Sequence, residues 1–469
     1  MRKSDTLVIG AGQAGLSISY YLTQAGREHV ILEKARVANA WRDHRWDSFT
    51  LVTPSWTLGL PDTAYDGDDP EGFLTRREVV DYLEAFAGRF DPPVQEGVEV
   101  TAVEAAPESD GFIVRSSADD FQVANVVVAA GLFQRPRIPA LSERLADSVK
   151  QIHTSEYRNH SQLLPGAVLV VGSGQSGAQI AEELREHGRE VYLATGRTGR
   201  LPRRYRGKDG VRWMARMGMV DKVVELLPSP AARFASSPHV SGKEGGRTLN
   251  LHQFSRDGIT LLGHLLDGRG TQLEIAPDLY ENLAAADKVA REFKQGVDTF
   301  IEKQGLQAPE ADESELRDRY DVPVITELDL ASAGISTIIW ATGYRFDFSW
   351  VKVPIFDEFG YPVQQRGVTS QAGLYFLGLP WLHTIKSGLL WGVGEDAAHV
   401  AEHIARDARR TDLLSCGHVR AGTAPNALPR ERACPLPGGS ALGKRPPRES
   451  GHDAWSLPVH EQANPLRGQ

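Results

Sequence analysis

Leu7-Val8-Ile9-Gly10-Ala11-Gly12-Gln13-Ala14-Gly15 and Leu169-Val170-Val171-Gly172-Ser173-Gly174-Gln175-Ser176-Gly177 are two copies of one pattern, an apolar run that ends in Gly-x-Gly-x-x-Gly. Each copy continues as a helix-periodic run, Leu16 to Gln24 and Ala178 to Glu186, then closes on Gly26-Arg27-Glu28 or Gly188-Arg189-Glu190 before a second apolar run. The separation between Gly10 and Gly172 recurs between Gly26 and Gly188, so the duplication keeps register through a whole strand-turn-helix-strand unit. One glycine triplet is weak evidence, whereas two copies in complete context point to a repeated supersecondary unit. The glycines have separate duties. Gly10 or Gly172 makes the tight turn, Gly12 or Gly174 lets the backbone approach a pyrophosphate, and Gly15 or Gly177 lets helix and strand pack closely. The free N–H groups and positive dipole end of the following helix then face the phosphates.

The copies differ where their ligands should differ. The second strand of the first copy ends in Val30-Ile31-Leu32-Glu33-Lys34. A carboxylate there, about 20 residues past the glycines, accepts hydrogen bonds from a ribose diol, which predicts an FAD adenosine site. The same step beyond Gly172 lands on Thr195, in Leu193-Ala194-Thr195-Gly196-Arg197. With the acid gone and Arg197 two residues on, a 2′-phosphate is favoured over a free hydroxyl, which predicts NADPH rather than NADH. Arg197, Arg200, Arg203, Arg204 and Arg206 also read as a solvated basic loop, and for the last four the two readings stay open.

Two later runs end alike, Val126-Val127-Val128-Ala129-Ala130-Gly131 and Ile338-Ile339-Trp340-Ala341-Thr342-Gly343. Small residues at a strand end let a cofactor or another backbone come close, so each nucleotide unit is expected to finish on a strand facing its ligand. The fold class that follows is α/β, with two Rossmann-like dinucleotide-binding domains and the NADPH domain inserted into the FAD domain. The expected divisions are an FAD-binding first part over residues 1–150 and an NADPH-binding domain over 160–345. A helical insertion at about 214–322 would cover the active site. The FAD-binding domain resumes over 346–408, and a proline-rich tail over 409–469 reads as disordered. Within the insertion, Asn250-Leu251-His252-Gln253 could line a pocket, although a lone histidine is more often structural. The helix Glu395 to Arg406, entered through Gly388 to Gly394, is expected to point its N-terminus at the flavin pyrimidine.

Composition narrows the classes. A length of 469 residues suits two or three compact units. A formal net charge of -9 argues against nucleic-acid binding and against anionic membranes. The two cysteines, Cys416 and Cys434, form no Cys-x-x-Cys pair, which removes the dithiol reductases. With no long apolar segment in the sequence, a cytoplasmic location is the default expectation.

The order of motifs resembles the flavin-containing monooxygenase superfamily, over roughly residues 1 to 405. Gly10, Gly12, Gly15 and Glu33 look like its FAD fingerprint, and Gly172, Gly174 and Gly177 like its NADPH fingerprint. Trp41, in Ala40-Trp41-Arg42, resembles a tryptophan near the cofactor, and Trp46-Asp47-Ser48-Phe49 continues that pattern. Val100 resembles the residue whose backbone meets the adenine, and Ala341-Thr342-Gly343-Tyr344 a late turn of the superfamily. The superfamily's identifying motif is half matched: His153 and Tyr157 fit, while Asp147 and Val149 occupy its Phe and Gly positions. No catalytic residue is assigned, and Arg204 is only a guess at an arginine of the Baeyer-Villiger type.

The resemblance implies the cofactors FAD and NADPH, held by Gly10, Gly12, Gly15, Glu33, Lys34, Trp41, Val100, Gly131, Gly172, Gly174, Gly177, Thr195 and Arg197, with no metal. NADPH would reduce the flavin, which would capture dioxygen as a C4a-hydroperoxide and oxidise a small organic substrate. The alternatives are an NADPH-dependent flavin oxidase or dehydrogenase without oxygen transfer, and a non-catalytic flavin-binding redox sensor. No nucleic-acid partner or transmembrane segment is expected, and a homodimer is left open.

Overall fold

The computed structural model describes residues 1–107, 111–311 and 317–418. The two glycine-rich units head two separate sheets. In the first, parallel strands Leu374–Phe376, Phe121–Val128, Arg2–Ile9, His29–Glu33 and Val94–Glu96 lie side by side. Antiparallel strands Val100–Ala105 and Phe112–Ser116 extend from Phe121–Val128. In the second, Lys150–His153, Ile335–Trp340, Ala167–Val171, Val191–Ala194 and Thr260–Leu262 are all parallel. Strand Leu374–Phe376 thus returns to the first sheet after the second has been completed.

Strands buried on both faces read as continuous apolar runs, and successive side chains serve opposite faces. Val8, Ile31 and Val127 enter a core shared with the helices Gln13–Gln24 and Val393–His418, while Leu7, Val30 and Val126 enter a core on the other face. The second sheet repeats the scheme, with Val168, Val170 and Leu193 on one side and Leu169, Val171 and Trp340 on the other.

The expected helical insertion at 214–322 proves to be several different elements. After helix Gly210–Arg216 come short 3-10 turns, and helices Leu251–Arg256 and Leu279–Gln304 lie further on. Between those two helices, Thr260–Leu262 is an edge strand of the second sheet, and Leu265–Arg269 starts a hairpin with Gln272–Ile275. The run Ile259-Thr260-Leu261-Leu262, set between Gly258 and Gly263, is too short for periodicity to tell strand from helix. The tail assigned to 409–469 falls outside the described residues from 419 on; the last helix, expected to end at Arg406, runs Val393–His418. Among the described residues no helix is long and apolar enough to cross a membrane.

Candidate dinucleotide-binding site

The two cradles are built by the same contacts. Gly10 and Gly172 both adopt φ +105°, a left-handed conformation that side chains disfavour. A Cβ at Gly10 would stand 2.6 Å from the Ala129 carbonyl oxygen, and one at Gly172 would stand 2.7 Å from that of Ala341. The small-residue strand ends therefore lie directly against the first glycine of each fingerprint. A Cβ on Gly15 or Gly177 would fall 1.8 Å from the carbonyl oxygen of Gly10 or Gly172. At Gly12 and Gly174 the same test meets nothing within 4 Å, so the backbone there faces open space.

Helix capping marks the same places. Thr75 caps helix Arg76–Gly88 with a full capping box, and Asp209 and Asn250 cap the helices that follow them. Gly12 and Gly174 give helices Gln13–Gln24 and Gln175–Glu186 no side-chain cap, and neither helix has an acid in its first turn. The opening N–H groups of both are left for an anion. Open backbone, uncapped helix starts and small-residue floors fit a diphosphate at each cradle.

Glu33 ends its strand buried, and its carboxylate accepts from the N–H groups of Ala11 (2.8 Å) and Ala35 (2.9 Å). That holds it across the mouth of the glycine turn. Lys34 is exposed. The Trp41 indole donates to Gln13 Oε1 (3.2 Å), and Gln13 Nε2 donates to the Gly388 carbonyl (2.9 Å). These bonds tie three distant segments around the first cradle. Helix Val393–His418 accordingly starts near Gln13, but its first turn carries Glu395 and Asp396, which oppose its positive end. Val100 pairs with Ser116 in the antiparallel extension, whereas Gly97 and Val98 hydrogen-bond to the Ala35 and Glu33 carbonyls. Gly131 takes φ +78° with open space around it.

In the second cradle, Thr195 is buried, donating to the Leu262 carbonyl (2.7 Å) and accepting from Asn282 Nδ2 (3.2 Å). It removes a carboxylate from this position and leaves no hydroxyl free. Arg197 is exposed, one residue past Gly196, whose N–H donates to Ser173 Oγ of the fingerprint turn (3.1 Å).

The solvated-loop reading of the later arginines fails at two of them. Arg200 and Arg203 are 1% exposed and pair with Asp287 and Asp209. Arg204 is exposed and donates to the Gly245 carbonyl (2.6 Å). Arg206 pairs with Asp298. His252 is structural: it is buried, its Nε2 donates to Asp287 (3.2 Å), and its Nδ1 accepts the Arg319 N–H (3.1 Å). His153 is also buried and lowered in pKa by that burial; its Nε2 donates to the Gly343 carbonyl (3.0 Å) at the late turn. Tyr157 donates to Glu183 on the second fingerprint helix (2.8 Å), so the half-matched motif braces the second cradle.

The sequence reading missed Gln13, Phe133 and Arg45. For Arg45 the available signal was the cluster of aromatic residues and arginines over Trp41 to Phe49.

Comparison with known proteins places this geometry. An uncharacterized CzcO-like oxidoreductase of Geobacillus kaustophilus is 37% identical over 405 residues, covering 85% of this chain and 98% of its own. The chain belongs to the CzcO-like oxidoreductase family. Residues 7–215 also match the family described as pyridine nucleotide-disulphide oxidoreductase, although that stretch contains no cysteine. The indole-3-pyruvate monooxygenase YUCCA1 of Oryza sativa subsp. japonica is 27% identical over 425 residues, 87% of this chain and 92% of its own. A flavin-containing monooxygenase of Stenotrophomonas maltophilia shares the fold at TM-score 0.59 and 20% identity, over 87% of this chain and all of that one. The likeness to the flavin monooxygenases stands, and the chain is an oxidoreductase of this family.

Proposed function

We propose that the protein is an NADPH-consuming, FAD-dependent monooxygenase acting on a small organic substrate, with the NADPH-binding unit inserted into the FAD-binding unit. The duplicated cradle carries this reading: two uncapped helix starts over glycine turns, in one chain, equipped differently at the adenosine end. FAD, when bound, supplies hydride acceptance and the activation of dioxygen.

The chain's own groups bind and orient. Gly10, Gly12 and Gly15 would hold the FAD diphosphate, Glu33 the adenosine ribose, and Trp41 the wall beside Gln13. Lys34, Val100 and Gly131 stand at the edges of that site. Gly172, Gly174 and Gly177 would hold the NADPH diphosphate. Arg197 would take the 2′-phosphate, and Thr195 helps by leaving no carboxylate to repel it. The two small-residue strand ends, brought together where the Phe133 ring meets that of Tyr344 and Arg135–Pro136 pairs with Tyr344–Arg345, would form the floor over which electrons pass.

The test is anaerobic titration with NADPH and NADH followed by admission of oxygen. NADPH should bleach the flavin at far lower concentration than NADH, and Arg197→Ala should erase most of that preference while leaving NADH nearly unchanged. Equal losses for both nucleotides would remove the 2′-phosphate assignment. Immediate release of stoichiometric hydrogen peroxide, whatever substrate is offered, would shift the reading to an oxidase. Bound flavin that NADPH cannot reduce would shift it to a redox sensor.

A further inference from the structure

Three arginines are buried among the described residues: Arg45, Arg200 and Arg203. The latter two have carboxylates, Asp287 and Asp209. Arg45 has none within ion-pair distance among the described residues. Its one hydrogen bond as a donor runs from Nη1 to the carbonyl of its neighbour His44 (2.8 Å). Aromatic faces surround it instead, with the guanidinium carbon 4.4 Å from the Phe133 ring centre, 5.1 Å from Trp41 and 5.6 Å from Phe49. Nε and Nη2 have no hydrogen-bond partner among the described residues, and neither is fully sealed from solvent. Burial also pushes the guanidinium down to about 10, consistent with a charge that lacks its counter-ion.

The aromatic rings around Arg45 connect to both cradles. Trp41 is bonded to Gln13, the first residue of the uncapped helix of the first cradle. Phe133 lies two residues past Gly131, at the end of the strand beneath Gly10. Its ring meets that of Tyr344 at 5.0 Å, and Tyr344 follows Gly343 at the corresponding strand end of the second cradle. A cation in this setting is costly unless an anion arrives, and both cradles are shaped for one.

We propose that Arg45 is a ligand-binding residue, the counter-charge to a phosphate oxyanion of a bound dinucleotide at the junction of the two cradles. This rests on the dinucleotide reading above and assigns to it a cation that neither fingerprint contains. The planar fork can donate through Nε and Nη2 to one phosphate group, a geometry that lysine lacks.

The experiment compares native protein with Arg45→Met and Arg45→Lys. FAD affinity is read by reconstitution after flavin removal, NADP+ affinity by titration of the flavin spectrum, and stability by thermal unfolding of the FAD-free protein. The Met variant is expected to lose about ten- to a hundredfold in affinity for one dinucleotide, the range of a charge-assisted hydrogen bond, with Lys between Met and native. Loss confined to FAD identifies its diphosphate, and loss confined to NADP+ identifies the other. The FAD-free Met variant should be at least as stable as native, since an uncompensated buried charge has been removed. Unchanged affinity for both dinucleotides, or a Met variant that fails to fold, would make Arg45 a structural strut and overturn the proposal. Native protein that binds neither dinucleotide would instead overturn the reading on which it rests.

Discussion

Replacing Asp209 by alanine should cost far more stability than removing one carboxylate from the protein surface. Asp209 and its partner Arg203 are each about 1% exposed. Exposed pairs contribute about 0–1 kcal/mol, whereas removing one member of a buried pair costs about 3–5 kcal/mol, because the survivor stays charged and dry. Arg203 has little freedom to escape to water. Its Nη1 donates to the carbonyls of Val52 (2.9 Å) and Ser241 (3.3 Å), and its guanidinium lies 4.7 Å from the Phe73 ring centre. Asp209 also accepts the Val211 N–H (2.8 Å) as the cap of helix Gly210–Arg216, and loss of that cap adds about 1 kcal/mol.

The expected loss for Asp209→Ala is therefore about 4–6 kcal/mol, read by guanidinium unfolding followed through tryptophan fluorescence. The double variant Arg203→Met/Asp209→Leu, which removes both charges, should recover most of it. Asp209→Asn, which keeps an acceptor for the cap, should fall between native and Ala. A loss below about 1 kcal/mol for Asp209→Ala, or a double variant no better than the single one, would show that the pair is hydrated in solution and that the reasoning fails. The contacts of Arg203 also reach far in sequence: Val52 and Phe73 precede the second glycine-rich turn and Arg203 follows it, so a well-held guanidinium ties the two stretches together.

Two further expectations use independent features. Burial raises the Glu182 carboxyl from 4.5 to about 7 against the pull of Arg247. The folded chain then holds a proton that the unfolded chain has released, so stability should fall by up to about 3 kcal/mol as pH rises from 4.5 to 7. Glu182→Gln should flatten that slope and leave the variant the more stable above pH 7; parallel curves for the two proteins would refute the assignment. Gly15→Ala must displace the Gly10 carbonyl, which would stand 1.8 Å from the new Cβ, and should cost at least about 1–3 kcal/mol with or without flavin. Gly12→Ala meets nothing and should leave the FAD-free protein near native stability while weakening FAD binding, a contrast that calorimetry and reconstitution would check.

The duplicated cradle was readable because its signals are local. A glycine at φ +105° and another that admits a carbonyl at 1.8 Å are constraints imposed by near neighbours, and each leaves its mark on sequence. The matching strand ends at Ala129 and Ala341 were readable for the same reason. What escaped reading depends on residues distant in the chain. Thr260–Leu262 becomes a strand because Val191–Ala194 offers it an edge, a fact absent from three residues between glycines. Thr195 occupies the expected position, yet its hydroxyl is taken by Leu262 and Asn282.

The arginines show where such reading ends and what replaces it. Arg197, Arg200, Arg203 and Arg204 sit within eight residues and look alike as a basic run, yet two face solvent and two are buried. Asp287, far along the chain, decides the fate of Arg200. Burial alone still does not separate scaffold from site, since Arg45 is as enclosed as a core residue. The distinction lies in who balances the charge. Where the fold supplies a carboxylate, the cation belongs to the scaffold. Where it supplies only aromatic walls and open donors, the balance must come from a molecule the chain was shaped to receive.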